Sequence, residues 1–202
     1  MRSQRVVLAT GNPGKLRQFS ELLGASGLEL LRQSDFGIEP PPETGSTFLE
    51  NSLLKARNAA RLTGLPAIAD DSGIEVDALG GRPGLFSARY AGEGASDDQN
   101  LRKMLLELES VPATNRTARY RSIIVFLVDA EDPAPLVGEG VWEGAIATVP
   151  RGTGGFGYDP IFIPFGDSRT AAEMPTEERN DRSHRGQASR AFLAQLDARV
   201  RG

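Results

Sequence analysis

Two short stretches of the sequence combine residue types that suit phosphate and metal chemistry. The first, Thr10-Gly11-Asn12-Pro13-Gly14-Lys15, joins a predicted strand to a predicted helix. A helix start favours an anion through its backbone N–H groups and dipole, and Lys15 and Asn12 would add a positive charge and a donor. It is not a Walker A loop, because Ala9 stands where the first glycine is needed and Leu16 follows the lysine. An ordinary strand-to-helix turn with a solvated lysine explains the stretch equally well.

The second stretch is Asp70-Asp71-Ser72-Gly73, which follows an apolar run at 65–69. Ligand sites of open α/β sheets usually lie where such strands end. Mg²⁺ needs only one or two carboxylates when phosphates and water complete its coordination, and Glu43 offers a further carboxylate from a proline-rich loop. A polar turn is the alternative interpretation, because Asp, Ser and Gly all favour turns.

A predicted helix supplies another cation. Asn51, Lys55 and Asn58 are spaced so that they share one helix face, which is most often a solvated face. Lysine occurs only at Lys15, Lys55 and Lys103, and every other permanent cation is arginine. Two of the three lysines, Lys15 and Lys55, lie at candidate anion-binding positions. Lysine carries the compact point charge that suits phosphate, which favours a functional interpretation of both.

The C-terminal half contains a glycine-rich stretch, 152–157, followed by Tyr158-Asp159-Pro160. It formally satisfies G-x-G-x-x-G, but the proline argues against the helix that a dinucleotide site requires. A flexible loop carrying Phe156 and Tyr158 could instead enclose a flat base. The only histidine, His184, lies in Ser183-His184-Arg185, and without a serine or cysteine nucleophile motif a hydrolytic triad is not expected.

The bulk composition is that of a globular protein. The chain has 202 residues, of which 39% are hydrophobic and 25% charged, and its net charge is -4. A mildly acidic chain is a poor candidate for binding long nucleic acid. It has no cysteine, and no apolar run approaches membrane-spanning length, so we expect a cytoplasmic protein without a membrane partner. Without repeats or a clean linker, 1–202 is predicted to form a single domain.

The chemistry-bearing stretches must be positioned by alternating strands and helices. Apolar periodicity predicts strands at 6–10, 65–69 and 122–128, and a strand or hairpin at 136–148. Helices are predicted from Leu16 to Leu23, and after the capping boxes Thr47/Glu50 and Ser96/Gln99, ending near 62 and 108. A final helix is predicted over 187–199, whereas the proline-rich segment 39–45 should be irregular. The mixture predicts a mixed α/β sheet with helices around it.

Taken in order, these segments resemble the inosine triphosphate pyrophosphatase family. The matching stretches are ATGNPGK at 9–15, ETGSTFLENSLLKA at 43–56, AIADDSGIEVDALGGRPGLFSARYAG at 67–92, GTGGFGYDPIF at 152–162 and SHRGQA at 183–188. The resemblance implies an α/β fold with an elongated central mixed β-sheet flanked by helices, and two lobes around a substrate cleft. It also implies a homodimer that hydrolyses the purine nucleoside triphosphates ITP, dITP and XTP to monophosphate and pyrophosphate.

The resemblance further implies roles for individual residues. Asp71 matches the catalytic base, with Asp70 and Glu43 helping it to hold Mg²⁺. Phosphate contacts match Thr10, Asn12 and Lys15, within the loop that also contains Gly11, Pro13 and Gly14, and Lys55 of the predicted helix after Thr47. Ser72 would lie against the nucleotide, Phe156 would stack on the purine beside Gly157 and Tyr158, and Asp159, His184 and Arg185 would line the base pocket. Arg179 stands where the family pattern leads us to expect a lysine.

These assignments predict that water attacks the α-phosphorus while Asp71 takes or orients its proton. A donor such as Arg185, or a backbone N–H group, would favour a 6-oxo purine over adenine. Two alternatives remain: a related pyrophosphatase selective for pyrimidine or other modified nucleotides, and a nucleotide sensor that does not hydrolyse its ligand. A nucleic-acid-binding module is disfavoured by the charge and by the lack of a basic aromatic platform.

Overall fold

The computed structural model describes residues 4–24 and 26–201. This part of the chain forms one six-stranded sheet in the order β2-β1-β3-β4-β5-β6, together with five α-helices. The strands are β1 (Gln4–Leu8), β2 (Leu28–Arg32), β3 (Ala67–Val76), β4 (Thr117–Leu127), β5 (Leu136–Ile146) and β6 (Phe162–Pro164). The helices are α1 (Pro13–Leu23), α2 (Phe48–Thr63), α3 (Asp97–Glu107), α4 (Thr176–Arg182) and α5 (His184–Arg201).

The sheet is mixed, which confirms the predicted fold class. Strand β1 pairs in parallel with β2 and β3, with Val7 opposite Ala67 in the second pair. Strands β5 and β6 are antiparallel, with Ala145 opposite Ile163. None of the helices in the described ranges has the length and apolarity needed to cross a membrane.

The chain divides into two compact units, each assembled from separate segments. Unit 1 comprises Met1–Asp71, Ser122–Gly140 and Arg185–Gly202, and unit 2 comprises Ser72–Arg121 and Val141–His184.

In unit 1 the side chains of β3 and β4 alternate between two differently covered faces, as strand geometry requires. Ile68, Ile124 and Phe126 form one buried cluster with Phe19 of α1 and Phe192 of α5. The other face meets α2, whose Ser52 hydroxyl donates to the carbonyl of Ile123 at 2.8 Å. Helices α1 and α5 therefore cover one face of this part of the sheet, and α2 covers the opposite face.

The helices of unit 1 follow their sequence signals closely. Helix α1 begins at Pro13, and its predicted apolar face buries Phe19 and Leu23 completely. Helix α2 begins after Thr47, whose hydroxyl accepts from the N–H of Glu50 at 3.1 Å. The other half of the predicted capping box differs, because the Glu50 carboxylate accepts from the N–H of Ser46 at 2.6 Å. Strand β2 was not predicted.

Strand β3 corrects one sequence prediction. The apolar run was expected to stop at Asp70, but β3 continues through 70–73 to Val76. The polar residues are tolerated in the strand because both carboxylates have cationic partners in unit 1. In unit 2, Gly73 is required because a Cβ atom there would collide with the carbonyl of Gly84. The alternative interpretation of this stretch as a polar turn is therefore wrong.

Unit 2 is built around a second buried cluster that includes Met104, Trp142, Tyr158 and Phe162. Helix α3 begins with the predicted capping box, in which Ser96 and Gln99 each bond the other's backbone N–H. The predicted strand or hairpin at 136–148 is the single strand β5. The glycine-rich segment leads into a 3₁₀ turn and β6 rather than an α-helix, as its proline predicted. Helix α4 was not predicted, and α5 begins at His184, three residues earlier than expected.

Candidate active site

Asp70 and Asp71 are consecutive residues of β3, so their side chains point to opposite faces of the sheet. Their partners show the difference directly. Asp70 contacts Lys15 of α1 and Arg185 of α5, whereas Asp71 contacts Lys55 of α2. The two carboxylates therefore form two separate clusters in unit 1, and the structure does not bring them together as one acidic pair.

The Asp71 cluster consists of Asp71, Glu43, Asn51 and Lys55. The Lys55 ammonium lies 2.8 Å from Oδ1 of Asp71 and 2.9 Å from Oε1 of Glu43, so one cation bridges two carboxylates. The Asn51 amide donates to Oδ2 of Asp71 at 3.2 Å. The side chain of Asp71 is 8% exposed and that of Glu43 is 27% exposed. Glu43 is therefore the more solvent-exposed of the two carboxylates, and Asp71 is almost completely buried.

Asn51 also fixes the proline-rich loop that carries Glu43. Its amide oxygen accepts from the N–H of Gly45 at 2.8 Å. A Cβ at Gly45 would lie 2.7 Å from that oxygen, so the loop needs glycine to approach α2 this closely. One buried amide thus positions Asp71 and the loop of Glu43 together.

The titration of this cluster reflects burial and a shared cation. Burial raises the pKa of Asp71, and the opposing charges of Lys55 and Lys15 do not offset it. Burial alone would lower the pKa of Lys55, but the carboxylates of Asp71 and Glu43 outweigh it and raise that pKa. Lys55 therefore stays charged, and Asp71 is a better proton acceptor than an exposed aspartate.

The Asp70 cluster consists of Asp70, Lys15, Arg185, Ser122 and Gln18. Oδ2 of Asp70 lies 2.8 Å from the Lys15 ammonium and 3.3 Å from both Nε and Nη2 of Arg185. The Ser122 hydroxyl donates to Oδ1, and Nη1 of Arg185 donates to Gln18. Asp70 and Arg185 are 1% and 2% exposed. Two cations therefore surround one buried carboxylate.

Burial and neighbouring charges have opposite effects on the pKa values of this cluster. Burial alone would raise the pKa of Asp70, but Lys15 and Arg185 outweigh it and hold that pKa well below its usual range. Burial lowers the pKa of Lys15, and the attraction of Asp70 does not fully restore it. Asp70 is consequently ionised throughout the physiological pH range and acts as a fixed negative charge.

The loop at the start of α1 is arranged differently from the sequence expectation. The side-chain oxygen of Asn12 accepts from the N–H groups of Gly14 and Lys15, at 2.8 and 3.1 Å. Those N–H groups are thus capped rather than free, because Asn is among the best N-cap residues. The Thr10 hydroxyl in turn accepts from the N–H of Asn12 at 3.2 Å. Among the groups of this loop, the Lys15 ammonium has the clearest basis for a role in anion binding.

The glycine-rich segment of unit 2 is held by Asp159. Its Oδ2 accepts from the N–H of Phe156 at 3.1 Å, and its Oδ1 accepts from the Tyr120 hydroxyl at 3.3 Å. Gly155 adopts a φ of +74°, and a Cβ there would collide with the Asp159 carboxylate. The backbone N–H of Gly157 donates to Asp97 at 2.7 Å. The half-buried Phe156 therefore belongs to a turn whose backbone is held by side-chain hydrogen bonds.

The other predicted substrate-binding residues of unit 2 have distinct surroundings. The His184 ring stacks on Tyr120, with centroids 4.5 Å apart and planes 6° apart. The Tyr158 hydroxyl donates to the carbonyl of Ser87 at 2.8 Å, and its ring is buried in the core, which supports a structural part for it. Ser72, which follows Asp71 in β3, is half-buried.

Arg179 has one guanidinium N–H donor, on Nη1, for which no described residue provides an acceptor. Its Nε lies 4.0 Å from Oδ2 of Asp159, while its buried Nη1 has no hydrogen-bond partner among the described residues. Ion pairs hold its helix, α4, to the preceding loop, with Arg182 2.8 Å from Asp167 and Glu178 2.6 Å from Arg169. The Nη1 group of Arg179 is therefore a buried donor for which the described residues supply no acceptor.

Comparison with known proteins identifies the family of this chain. A model of the Ham1 family matches residues 6–195. The chain belongs to the Ham1 family. A dITP/XTP pyrophosphatase of Thioalkalivibrio sulfidiphilus is 57% identical to it over 195 residues, which are 96% of this chain and 100% of that relative. A dITP/XTP pyrophosphatase of Shigella flexneri is 55% identical over 96% of this chain and 98% of its own length. The resemblance inferred from the motifs is confirmed.

The fold of this Ham1 chain is likewise shared with a solved structure. The structure of a HAM1 protein from Coxiella burnetii superposes with a TM-score of 0.88 at 46% identity. The match covers 96% of this chain and 99% of that protein.

Sequence reasoning did not assign four residues that shape the clusters of this Ham1 chain. These residues all hold a predicted site residue in place through a side-chain hydrogen bond: Gln18, Asn51, Tyr120 and Ser122. Asn51 had a detectable signal, because it lies one helical turn before Lys55. For Ser122, adjacency to Asp70 depends on the pairing of distant strands, and no local pattern reveals it.

Proposed function

We propose that this chain hydrolyses non-canonical purine nucleoside triphosphates, namely ITP, dITP and XTP, to the monophosphate and pyrophosphate. The observation that carries the proposal is identity of 55–57% with proteins named dITP/XTP pyrophosphatase, over 96% of this chain. The two charged clusters of unit 1 support the chemistry, because they combine fixed cations with a buried proton acceptor. We further propose that 1–202 acts as one catalytic domain.

Asp71 is the proposed catalytic base. Water attacks the α-phosphorus, and Asp71 takes or orients the proton that the water loses. The raised pKa of Asp71 supports this role, because a general base works best when its pKa approaches the ambient pH. Asn51 and Lys55 each hold one oxygen of the carboxylate, so its direction is fixed before substrate binds.

Lys15 and Lys55 are the proposed phosphate contacts. Preorganised cations stabilise the charge that develops on phosphate oxygens during transfer. Both ammonium groups are largely buried, with side chains 14% and 8% exposed, so their charges are weakly screened by solvent. Thr10 and Asn12 would shape the loop beside Lys15, together with Gly11, Pro13 and Gly14, since Asn12 caps the helix that carries it.

Mg²⁺ is the proposed metal, and Asp71 and Glu43 would hold it. Their oxygens converge on one cation, Lys55, so this corner of unit 1 favours positive charge and presents the oxygen donors that Mg²⁺ prefers. Two carboxylates are enough for Mg²⁺ when substrate phosphates and water complete its coordination. Within the described ranges, no three His, Cys, Asp or Glu side chains form a metal-binding group. When bound, Mg²⁺ would supply Lewis-acid stabilisation of phosphate charge.

Base recognition is proposed for residues of unit 2. Phe156 would stack on the purine, with Gly157 and Tyr158 forming its turn. The donor group of Arg179, together with backbone N–H groups, would favour an oxo group over the amino group of adenine. Asp159 and His184 would complete the base contacts and Ser72 would contact the nucleotide.

Arg185 was predicted to contact the base, but all three of its nitrogens donate to Asp70 or Gln18. These bonds support a part for Arg185 within the Asp70 cluster.

The test is a panel of purine and pyrimidine nucleoside triphosphates with Mg²⁺, scored separately for pyrophosphate and orthophosphate. We expect pyrophosphate from dITP, ITP and XTP, with much lower efficiency for ATP and for pyrimidines. Equal use of ATP would contradict the base selection, and orthophosphate alone would contradict the choice of bond. Saturable binding without any product would favour the sensor alternative.

The resemblance also motivates a homodimeric assembly and a cytoplasmic location. Light scattering coupled to size exclusion measures the first, and a single-chain mass would contradict it. Fractionation of the source cells measures the second.

A further inference from the structure

We propose that Asp70 is a positioning residue for the Lys15 ammonium rather than a magnesium ligand. Its buried carboxylate holds Lys15 at the place where the cation meets the substrate's phosphates. The proposal rests on the proposed function in that Lys15 contacts phosphate. It assigns Asp70 a part different from the one that the family resemblance implies.

The oxygens of Asp70 already have strong donors. Oδ1 accepts from Ser122, and Oδ2 accepts from Lys15 and from two nitrogens of Arg185. The side chain is 0% exposed, so these donors also shield it from solvent. A metal bound at Asp70 would have to displace at least one of these donors.

The Asp70 side chain also points away from the proposed magnesium ligands. Asp70 points to the face covered by α1 and α5, and Asp71 points to the face covered by α2. Glu43 belongs to the α2 side, because it shares Lys55 with Asp71. Asp71 and Glu43, which would hold the ion, are therefore on the opposite side of the sheet from the Asp70 carboxylate.

The local charge around Asp70 is also unfavourable for a metal ion. Asp70 is one carboxylate next to two cations, whereas Asp71 and Glu43 are two carboxylates next to one. The Asp70 cluster thus carries excess positive charge, which repels a divalent cation and attracts phosphate. The Asp71 cluster has the opposite balance.

The consequence concerns Lys15, whose flexible side chain would otherwise adopt many conformations. Asp70 ties its ammonium with an ion pair at 2.8 Å and a longer bond of 3.4 Å to the backbone carbonyl of Asp70. The Lys15 side chain therefore loses its conformational entropy when the protein folds, and not when substrate binds. This favours tight binding of the substrate. Removing Asp70 should therefore weaken phosphate binding even though it removes a negative charge.

The experiment measures binding of inorganic triphosphate by calorimetry in the presence of EDTA, for wild type, Lys15→Met, Asp70→Asn and the double variant. We expect each single variant to bind about tenfold more weakly, the size of a lost charged hydrogen bond. The double variant should bind no more weakly than Lys15→Met, because Asp70 acts through Lys15. Asp132→Asn is the matched control, since Asp132 is another buried carboxylate of unit 1 that bonds the N–H groups of Val128 and Ala134.

Each contrary result is decisive. If Asp70 acted only through its negative charge, Asp70→Asn would bind triphosphate more tightly. Tighter or unchanged triphosphate binding in Asp70→Asn would overturn the proposal. An additive loss of affinity in the double variant would also overturn it. Absence of triphosphate binding by the wild type, or an equal loss in Asp132→Asn, would overturn it too. Should Asp70→Asn not fold, Ser122→Ala keeps every charge and removes only the donor to Oδ1 of Asp70, so binding about threefold weaker is expected and unchanged binding contradicts the proposal.

A second readout separates metal binding from positioning. The Mg²⁺-induced rise in the thermal midpoint of nucleotide-free protein should survive in Asp70→Asn and be reduced in Glu43→Gln. A loss in Asp70→Asn equal to that in Glu43→Gln would overturn the proposal. Neither readout requires turnover, so a wild type that releases no pyrophosphate would defeat the proposed function while these results still decide the part of Asp70.

Discussion

Asp70 and Asp71 are the same residue type at adjacent positions of one strand, yet their surroundings are opposite. Asp70 lies between two cations on the face covered by α1 and α5. Asp71 shares one cation with Glu43 on the face covered by α2. The pKa of Asp70 is lowered and that of Asp71 is raised, although both are buried.

The difference shows that adjacent residues of a strand can lie in surroundings of opposite net charge. Alternation of side chains across the sheet gives each carboxylate its own helices as neighbours. The cation-rich face is suited to holding an anion, and the carboxylate-rich face is suited to a metal and to proton transfer. The neighbours, rather than the residue type, determine what each carboxylate can do.

The largest expected effect comes from Asp71→Asn. Loss of the proposed general base should lower kcat by about a thousandfold, within the range for general acid–base catalysis. The fold should be retained, because Lys55 keeps Glu43 as a counter-ion. Steady-state pyrophosphate release and the thermal midpoint measure the two effects.

The matched control for that variant is Asp98→Asn. Asp98 is an exposed carboxylate of α3 that pairs with Arg102, and its substitution should leave turnover unchanged. Near-normal activity of Asp71→Asn would remove Asp71 from the mechanism and weaken the contrast with Asp70.

The second effect is on stability and falls on Asp70. Asp70→Asn should lower the free energy of unfolding by about 3–5 kcal/mol at neutral pH, because Lys15 and Arg185 lose the carboxylate that they share. Adding Lys15→Met should recover part of the loss by removing one of the two cations. Urea unfolding measures both, and a cost in Asp71→Asn as large as that in Asp70→Asn would contradict the comparison.

A smaller effect compares the neutral donors of the two carboxylates. Asn51→Ala and Ser122→Ala each remove one hydrogen bond from one carboxylate and should cost about 1–3 kcal/mol of stability. Asn51→Ala should also reduce kcat, because it releases Asp71 and the loop of Glu43. Ser122→Ala should act mainly on KM, through Lys15. If Asn51→Ala changed mainly KM and Ser122→Ala mainly kcat, the proposed assignment of catalysis to the Asp71 face and phosphate binding to the Asp70 face would be contradicted.

The smallest effect is on the pH dependence of stability without metal. Asp70, with its lowered pKa, contributes stability that is present above the ordinary pKa of 3.8 and is lost as the pH falls below it. Asp71, with its raised pKa, binds its proton more tightly when folded, so its contribution improves as the pH falls towards 3.8.

Urea unfolding between about pH 7 and about pH 3 should therefore separate the variants. Asp70→Asn should remove part of the acid-induced loss below 3.8, and Asp71→Asn should change the slope above it. Identical pH profiles for the two variants would show that the carboxylates share one environment.

Local signals predicted most of the helices and some of the strands. The apolar spacing of α1, the threonine cap of α2 and the reciprocal cap of α3 all depend on residues a few positions apart, and each is present. The short strand β2 and the charged helix α4 were not predicted, because neither has strong apolar periodicity. The expected stop of β3 at Asp70 was wrong, because distant cations make two aspartates acceptable in a buried strand.

The sequence by itself determined the family, the mixed α/β fold class and the set of charged residues, because near-full-length motifs and short-range patterns carry that information. Only the tertiary structure decided how those residues are grouped. Asp70 meets Arg185 across 115 positions and Ser122 across 52, and no local spacing encodes such pairs. The physical reason is the sheet: strand pairing chooses the neighbours, and side-chain alternation places consecutive carboxylates on opposite faces.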